Sequence, residues 1–319
     1  MWDFSIGTSF ALVLRTLPFM LLRAATYFGI AAAFVVAGGG GAGIGWGIGA
    51  LAGRSGHLPG AFWGTVAGFA CVALMLWWLR EYFLYLVKAG HVAAMVFVLD
   101  RRNPLAGQGQ VGHAVSIVQQ RFRQIGVLFA IERLVHGTLA TLIGILDLSA
   151  SLLPAGISVP PAPVNAVLRV ALNFLTEVVL ARPLRATTNN PWVETRDALI
   201  LFAQNHAVLM RNAMLLAAFS YCAAFVAFLI ALVPAARLAY TFAGGSALIA
   251  LLLALIFAWC FKQALIDPYV IASMLQVYFR AADGQIPDPA WDAKLTEMSE
   301  EFREIRARAF PAQRSPRRL

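Results

Sequence analysis

Residues 238–261 read LAYTFAGGSALIALLLALIFAWCF and contain no charged side chain. About 20 mainly apolar residues are needed for a helix to cross the hydrocarbon core of a bilayer. This stretch meets that requirement, and five further apolar segments of similar length occur along the 319-residue chain. The sequence therefore predicts an all-α integral membrane protein with six transmembrane helices.

The composition of the whole chain supports a membrane protein. Hydrophobic residues make up 60% and charged residues 13%, whereas a soluble domain carries about 25% charged residues. The net charge is +9, but the basic residues lie between apolar segments, so we predict the lipid bilayer as partner and no nucleic acid. The three cysteines lie in apolar segments and no two histidines have metal-ligand spacing, so we predict no disulfide framework, metal or cofactor.

Three parts follow from the apolar pattern. Residues 1–23 are predicted to form an interfacial helix, because Arg15 and Pro18 interrupt their apolar run. Residues 24–279 are predicted to form the six-helix transmembrane domain, and residues 280–319 a cytoplasmic tail with an amphipathic helix at 289–309. The predicted spans are 24–53, 61–87, 125–148, 165–184, 207–233 and 238–261, the last continuing as a helix towards 279.

The positive charges between the spans predict the orientation. One set of loops is rich in arginine and lysine, and the alternate set carries Arg54, Arg237 and a proline-rich stretch, 153–164, without any charge. Cytoplasmic loops carry the excess of positive charge. The arginine-rich set comprises Arg15, Arg23, Lys88, Arg101, Arg102, Arg121, Arg123, Arg182, Arg185, Arg196 and the tail. Both termini are therefore predicted to be cytoplasmic, in a bacterial inner membrane.

Glycines recur every four residues in the first predicted span, at Gly41, Gly45, Gly49 and Gly53. A dinucleotide-binding loop would follow a strand and precede an acidic residue by about 20 positions, and neither feature is present. Glycine allows two helix backbones to approach closely in lipid. Packing within the subunit and a homo-oligomer face both remain open, as does a broken or re-entrant first span.

Ionisable residues inside apolar spans are costly in a bilayer and are therefore candidates for function. Asp147 and Arg169 are expected near the outer ends of neighbouring spans, where they would pair. The full set of candidates is Glu132, Asp147, Arg169, Glu177, Lys262 and Asp267. Structural ion pairs are one interpretation. A polar pathway or a cation site that uses Glu177 or Asp147 is the other.

Aromatic residues near these acids suit one class of ligand. Aromatic faces and a negative field together hold a quaternary ammonium group. The candidate faces are Trp77, Trp78, Tyr221 and Trp259, and anchoring at the membrane interface is the alternative. We find no nucleophile elbow, phosphate loop or zinc signature, and predict neither catalytic residues nor enzyme activity.

The tail contains a helix signal. Asp288 suits an N-cap and Pro289 the first helical position. An apolar stripe then follows at spacings of four and three, formed by Trp291, Leu295, Met298, Phe302 and Ile305. Such a stripe predicts a helix that docks on its own cytoplasmic face, or one that binds a partner protein or a second copy.

Three segments resemble choline-transporter-like proteins. Residues 206–212, HAVLMRN, match the aliphatic stretch and Arg-Asn that precede a span in that family, and Asp267 and Asp283-Gly284 resemble the end of its conserved region. The basic stretch 113–123 before a span fits the same pattern. The resemblance covers about residues 88–295 and implies a transporter-like helical fold and a choline-like cationic solute.

Two functional hypotheses follow from these features. One is a transporter of a small organic cation or a related solute, which rests on the intramembrane charges, the aromatics and the resemblance. The other is a membrane scaffold, or a subunit of a larger homo- or hetero-oligomeric complex, which rests on the glycines and the tail helix.

Overall fold

The computed structural model describes residues 3–51, 53, 56–79, 84–100, 112, 125–145, 161–186, 190–243 and 246–310. Within these ranges the regular elements are all helical. They are α1 (Ile6–Arg15), α2 (Leu17–Leu51), α3 (His57–Leu79), α4 (Tyr85–Leu99), α5 (Ile125–Ile145), α6 (Pro161–Val179), α7 (Ala181–Arg185), α8 (Pro191–Gln204), α9 (His206–Ala243), α10 (Ala247–Phe261), α11 (Asp267–Ala282), α12 (Pro289–Met298) and α13 (Glu300–Ala309). A single π-helical turn, Lys262–Ile266, joins α10 to α11.

Within the described residues, six helical segments are long and apolar enough to cross a membrane, which confirms that part of the prediction. They are Leu17–Leu51, His57–Trp77, Val127–Ile145, Val164–Arg185, His206–Thr241 and Ala247–Ala282. Each of them overlaps one of the six predicted spans.

The helix ends differ from the predicted ones in two informative places. Helix α2 begins at Leu17 rather than at residue 24, because Pro18 falls in its first turn, where the missing N–H is not needed. Its glycine-rich half is continuous helix to Leu51. Helix α9 continues through Pro234 to Ala243, although the sequence predicted an end at residue 233. The predicted start of the sixth span at residue 238 is therefore wrong, because residues 238–243 belong to α9 and α10 begins at Ala247. A proline inside a membrane helix removes one backbone hydrogen bond, and neighbouring groups commonly satisfy the freed carbonyl.

The chain forms two compact units. Unit 1 contains Met1–Leu17, Ala89–Ala218 and Tyr269–Leu319, and unit 2 contains Pro18–Lys88 and Phe219–Pro268. The N-terminal helix α1 and the tail helices therefore belong to the same unit. In unit 2 an apolar core is built from α2, α3, α9 and α10, with Tyr27, Phe34, Phe69 and Leu253 among its buried members.

The glycines of unit 2 bring α2 and α3 into backbone contact. A Cβ atom on Gly45 would lie 2.0 Å from the carbonyl oxygen of Gly60 on α3. Gly41 meets the carbonyl of Gly64 on α3 in the same way, and Gly49 meets that of Gly56, directly before α3. Gly53 lies beyond the end of α2 with a φ of 92° and has nothing within 4 Å of its Cβ position. The structure thus favours packing within the subunit for the first three glycines.

In unit 1 the tail packs on its own protein. The predicted helix 289–309 is two helices, because the Ser299 hydroxyl accepts the backbone N–H of Phe302 and so begins a new helix at Glu300. Leu295, Phe302 and Ile305 are buried, and α13 packs against α5 and α8. Own-face docking is therefore the alternative that the structure favours for this stripe, whereas its role as a partner helix stays a prediction.

Ion pairs hold the tail helices in place as well. Asp292 on α12 is buried and accepts a hydrogen bond from Nε of Arg196 on α8 at 2.9 Å. Nε of Arg306 on α13 lies 3.4 Å from the other carboxylate oxygen of Asp292. One carboxylate therefore links three helices of unit 1.

Candidate functional site

The π-helical turn interrupts the segment Ala247–Ala282. The N–H of Asp267 donates to the carbonyl of Lys262, five residues earlier, instead of the one four residues earlier. Single π-turns inside α-helices occur frequently at functional sites. In an α-helix, residues five apart lie about 140° apart around the axis, and the widened turn brings the Lys262 and Asp267 side chains together.

Asp267 is a buried carboxylate with defined partners. It is 4% exposed, and Lys262 Nζ donates to both of its oxygens, at 2.8 and 3.0 Å. The hydroxyl of Ser220, a fully buried residue of α9, donates to Asp267 Oδ1 at 3.2 Å. Two of the predicted charges are thus brought into one site in unit 2, as a buried ion pair with a hydroxyl beside it.

The π-turn also frees a carbonyl, and Arg23 binds it. In an α-helix the Gln263 carbonyl would accept the N–H of Asp267, which donates to Lys262 instead, and the next residue, Pro268, has no N–H. Nη2 of Arg23, a fully buried side chain of α2, donates to this oxygen at 2.9 Å. The Arg23 guanidinium therefore fixes α2 to the π-turn.

Arg23, Gln263 and Ser220 were missed as site residues by the sequence reasoning. Arg23 was interpreted as a positive charge of a cytoplasmic loop, but it lies inside α2 with no exposed surface. The available signal was Pro268, which directly follows an acidic residue within a long apolar segment. A proline at such a position removes a helical N–H donor.

Of the predicted aromatic faces, Tyr221 directly follows Ser220 in the chain, and Trp259 precedes Lys262 by three residues. The Trp259 ring contacts the buried ring of Tyr27 edge-on, with 5.6 Å between the centroids. Tyr27 follows Arg23 by one turn of α2, and Trp259 precedes Gln263 by one turn of α10. Tyr221 is 39% exposed and Trp77 is 72% exposed, and the side chain of Trp78 lies outside the described residues.

The predicted charges of α5 and α6 lie in unit 1 and are not part of this site. Glu132 on α5 and Glu177 on α6 are partly buried, and Arg169 is exposed. Asp147 lies outside the described residues, so its pairing with Arg169 stays a prediction. The contact between these two helices involves His136 Nδ1 and Thr176 Oγ1, 3.3 Å apart.

Among the described residues, no group of three histidine, cysteine, aspartate or glutamate side chains is arranged to hold a metal ion. No family model, no curated protein and no solved structure matches the chain. The resemblance to choline-transporter-like proteins therefore stays a prediction.

Proposed function

We propose that this chain is a membrane transport protein for a small organic cation and that Asp267 is the carboxylate that binds the cation. The observation that carries this proposal is the ammonium group of Lys262 against both oxygens of buried Asp267. A carboxylate in an apolar span is costly and is a functional candidate by default. The Asp267 carboxylate already binds the ammonium group of Lys262, and the proposed solute likewise carries a positively charged nitrogen.

Exchange is the step that the geometry supports. A solute ammonium takes the position of Lys262 Nζ, while the Ser220 hydroxyl stays on the carboxylate. Removal of one partner from a buried ion pair costs about 3–5 kcal/mol, so Lys262 leaves Asp267 only as the cation arrives. The ring of Trp259, one helical turn before Gln263, offers an aromatic face for a quaternary group.

Arg23 acts in this proposal as a positioning residue. Its hydrogen bond to the Gln263 carbonyl satisfies the oxygen that the π-turn leaves without a helical donor. The π-turn in turn brings Lys262 and Asp267 onto one face. Loss of the guanidinium therefore favours return of the segment to α-helical register, in which the ion pair is separated.

We further propose that both termini are cytoplasmic in a plasma (inner) membrane. The alternation of arginine-rich loops supports this orientation. Contacts within unit 1 are consistent with it, since Arg211 and Asn212 at the start of α9 donate to Asp3, and Arg185 after α6 pairs with Asp283 after α11. All of these residues are predicted to lie on the same side.

Uptake by proteoliposomes tests the proposal. The purified chain is reconstituted, and accumulation of radiolabelled choline and of ethanolamine is measured for the wild type, Asp267→Asn and Asp283→Asn. Asp283 is the matched control, because it follows the same helix but is paired with Arg185 at the surface. We expect uptake by the wild type and the control, and uptake at the level of empty liposomes for Asp267→Asn.

A thermal melt of each variant shows whether the protein is folded. The double variant Lys262→Met, Asp267→Asn removes both charges of the ion pair, so that neither charge is left buried without its partner. Uptake that persists in a folded Asp267→Asn variant would contradict the role of Asp267. Absence of uptake of either cation by the wild type would overturn the proposed solute class. The scaffold or complex-subunit hypothesis would then be the next to test, by gentle extraction and mass measurement.

A further inference from the structure

A cleft of about 450 Å³ lies in unit 1 where α13 packs against α5. Its volume falls in the range of small-ligand sites, about 300–1,000 Å³. The charged residues that line it are Arg133 from α5 and Glu301, Glu304 and Arg308 from α13, and its apolar wall includes Ala130 and Leu134. Two positive and two negative side chains therefore face one space, and their formal charges sum to zero.

The four charges are not equally engaged. Arg308 pairs with Glu304, and its guanidinium lies 4.7 Å from the centroid of the Trp192 ring. Glu301 accepts a hydrogen bond from the Ser299 hydroxyl at 2.9 Å but forms no ion pair with another described residue. Arg133 is exposed and has no hydrogen-bond or ion-pair partner within the described ranges. One cation and one anion are thus available to a ligand.

The position of the cleft indicates an amphiphile. The outward side of α13 is charged, with Glu300 and Arg303 exposed, which is suited to water. The exposed residues of α5 beyond the cleft, Ala140, Gly144 and Ile145, have no polar side chain, which is suited to hydrocarbon chains. The boundary between water and lipid is expected where a charged helix packs on an apolar span, and lipid headgroups lie at that boundary.

We propose that this cleft binds the headgroup of a zwitterionic phospholipid, with its phosphate at Arg133 and its ammonium at Glu301. An arginine suits a phosphate because its guanidinium offers several donors to the oxygens. The acyl chains leave the cleft past Leu134, towards the exposed apolar surface at Ala140 and Ile145. The two glutamates disfavour an anionic lipid, which brings no ammonium group to compensate them. This proposal does not depend on the transport proposal, whose residues lie in unit 2.

The test is a melting experiment on the full chain in detergent, with phosphatidylethanolamine or phosphatidylglycerol added. We expect phosphatidylethanolamine to raise the melting temperature of the wild type and phosphatidylglycerol to raise it less. Glu301→Gln should lose the difference between the two lipids. Arg133→Gln should lower the stabilisation by both lipids, and Arg133→Lys should retain it in part. Arg303→Gln is the matched control, since Arg303 lies on α13 but does not line the cleft.

Soluble probes separate a lipid site from a site for a free phosphate compound. Glycerophosphoethanolamine and inorganic phosphate are titrated at the same ionic strength, and a lipid site predicts weak stabilisation by the first and none by the second. Equal stabilisation by both lipids, a retained preference in Glu301→Gln, or undiminished stabilisation by both lipids in Arg133→Gln would overturn the proposal. Stabilisation by inorganic phosphate as strong as that by phosphatidylethanolamine would also overturn it, because the site would then recognise the anion alone.

Discussion

Replacement of Gly45 by alanine should separate α2 from α3. The new Cβ would lie 2.0 Å from the carbonyl oxygen of Gly60, and ordinary contact begins at 3.4 Å. The deficit is therefore 3.4 − 2.0 = 1.4 Å, and it falls on backbone atoms that have no rotamer to change. Overpacking of this kind costs typically about 1–3 kcal/mol, so we expect the free energy of unfolding to fall by that amount.

Gly43 supplies the matched control on the same helix. A Cβ on Gly43 meets nothing within 4 Å, and alanine is favoured over glycine inside a helix by roughly 1 kcal/mol. Gly43→Ala should therefore leave the stability unchanged or raise it. The measurement is unfolding in detergent and in nanodiscs, followed by tryptophan fluorescence. Trp46 on α2, which stacks on His57 of α3 with 4.6 Å between the ring centroids, reports on this seam.

The reciprocal variant sharpens the test. A Cβ on Gly60 would lie 2.2 Å from the carbonyl oxygen of Gly45, so Gly60→Ala should destabilise the protein to a similar extent. One separation of the helices relieves both clashes, and the double variant should cost less than the sum of the two single variants. Equal stabilities for Gly45→Ala and Gly43→Ala would refute the reasoning, because the seam would then tolerate a methyl group.

Three further predictions concern unit 1 and the orientation. Asp292→Asn should weaken docking of the tail by about 1–3 kcal/mol, because it removes the charge that Arg196 and Arg306 bind on this buried side chain. Limited proteolysis should then cut the tail faster than in Glu297→Gln, a control at an exposed position. Hydrogen bonds from Asn212 and Arg211 lower the pKa of Asp3 below its usual 3.8. The pair of Asp3 with Arg211 is exposed and contributes about 0–1 kcal/mol to the free energy of unfolding. This contribution is present above pH 3.8 and is lost as the pH falls through the lowered pKa of Asp3. Asp3→Asn should remove this dependence in hydrogen exchange of α1, and an unchanged profile would contradict it. In a cysteine-free background, Ser158→Cys and Ile286→Cys should be labelled by a membrane-impermeant reagent from opposite sides, and labelling of both from the same side would overturn the orientation.

The six membrane-length helices could be predicted from the sequence because apolar runs need no tertiary information. Residues 238–261 have no charge to disfavour the bilayer, and helices satisfy their own backbone there, although the stretch is divided between the end of α9 and α10, which begins at Ala247. The helix ends were less predictable: Pro234 signals an end in water, yet α9 continues past it to Ala243. The break at Ser299 was equally hidden, since the apolar stripe of the tail keeps its spacing across it.

The candidate site depended on contacts between distant segments. Lys262 and Asp267 were both identified from the sequence as charges in an apolar segment, but their spacing of five residues does not place them on one face of an α-helix. Only the π-turn brings them together, and only the packed structure adds Ser220 and Arg23 from other helices. The glycine repeat of α2 is visible in the sequence. The glycines of α3 that face it, Gly60 and Gly64, are identified only by the contact between the two backbones.

The sequence by itself determined that this chain folds as helices of membrane length, because local apolar character and backbone self-satisfaction decide that outcome. Tertiary structure decided which glycines are covered, where the tail docks and which charges share a site. Those outcomes depend on the helix that lies opposite each residue, and the pattern along one helix carries no information about its neighbour. The apolar stretch 238–261 predicted a span, but tertiary structure assigned its first six residues to α9 and placed the candidate site at the π-turn that follows α10.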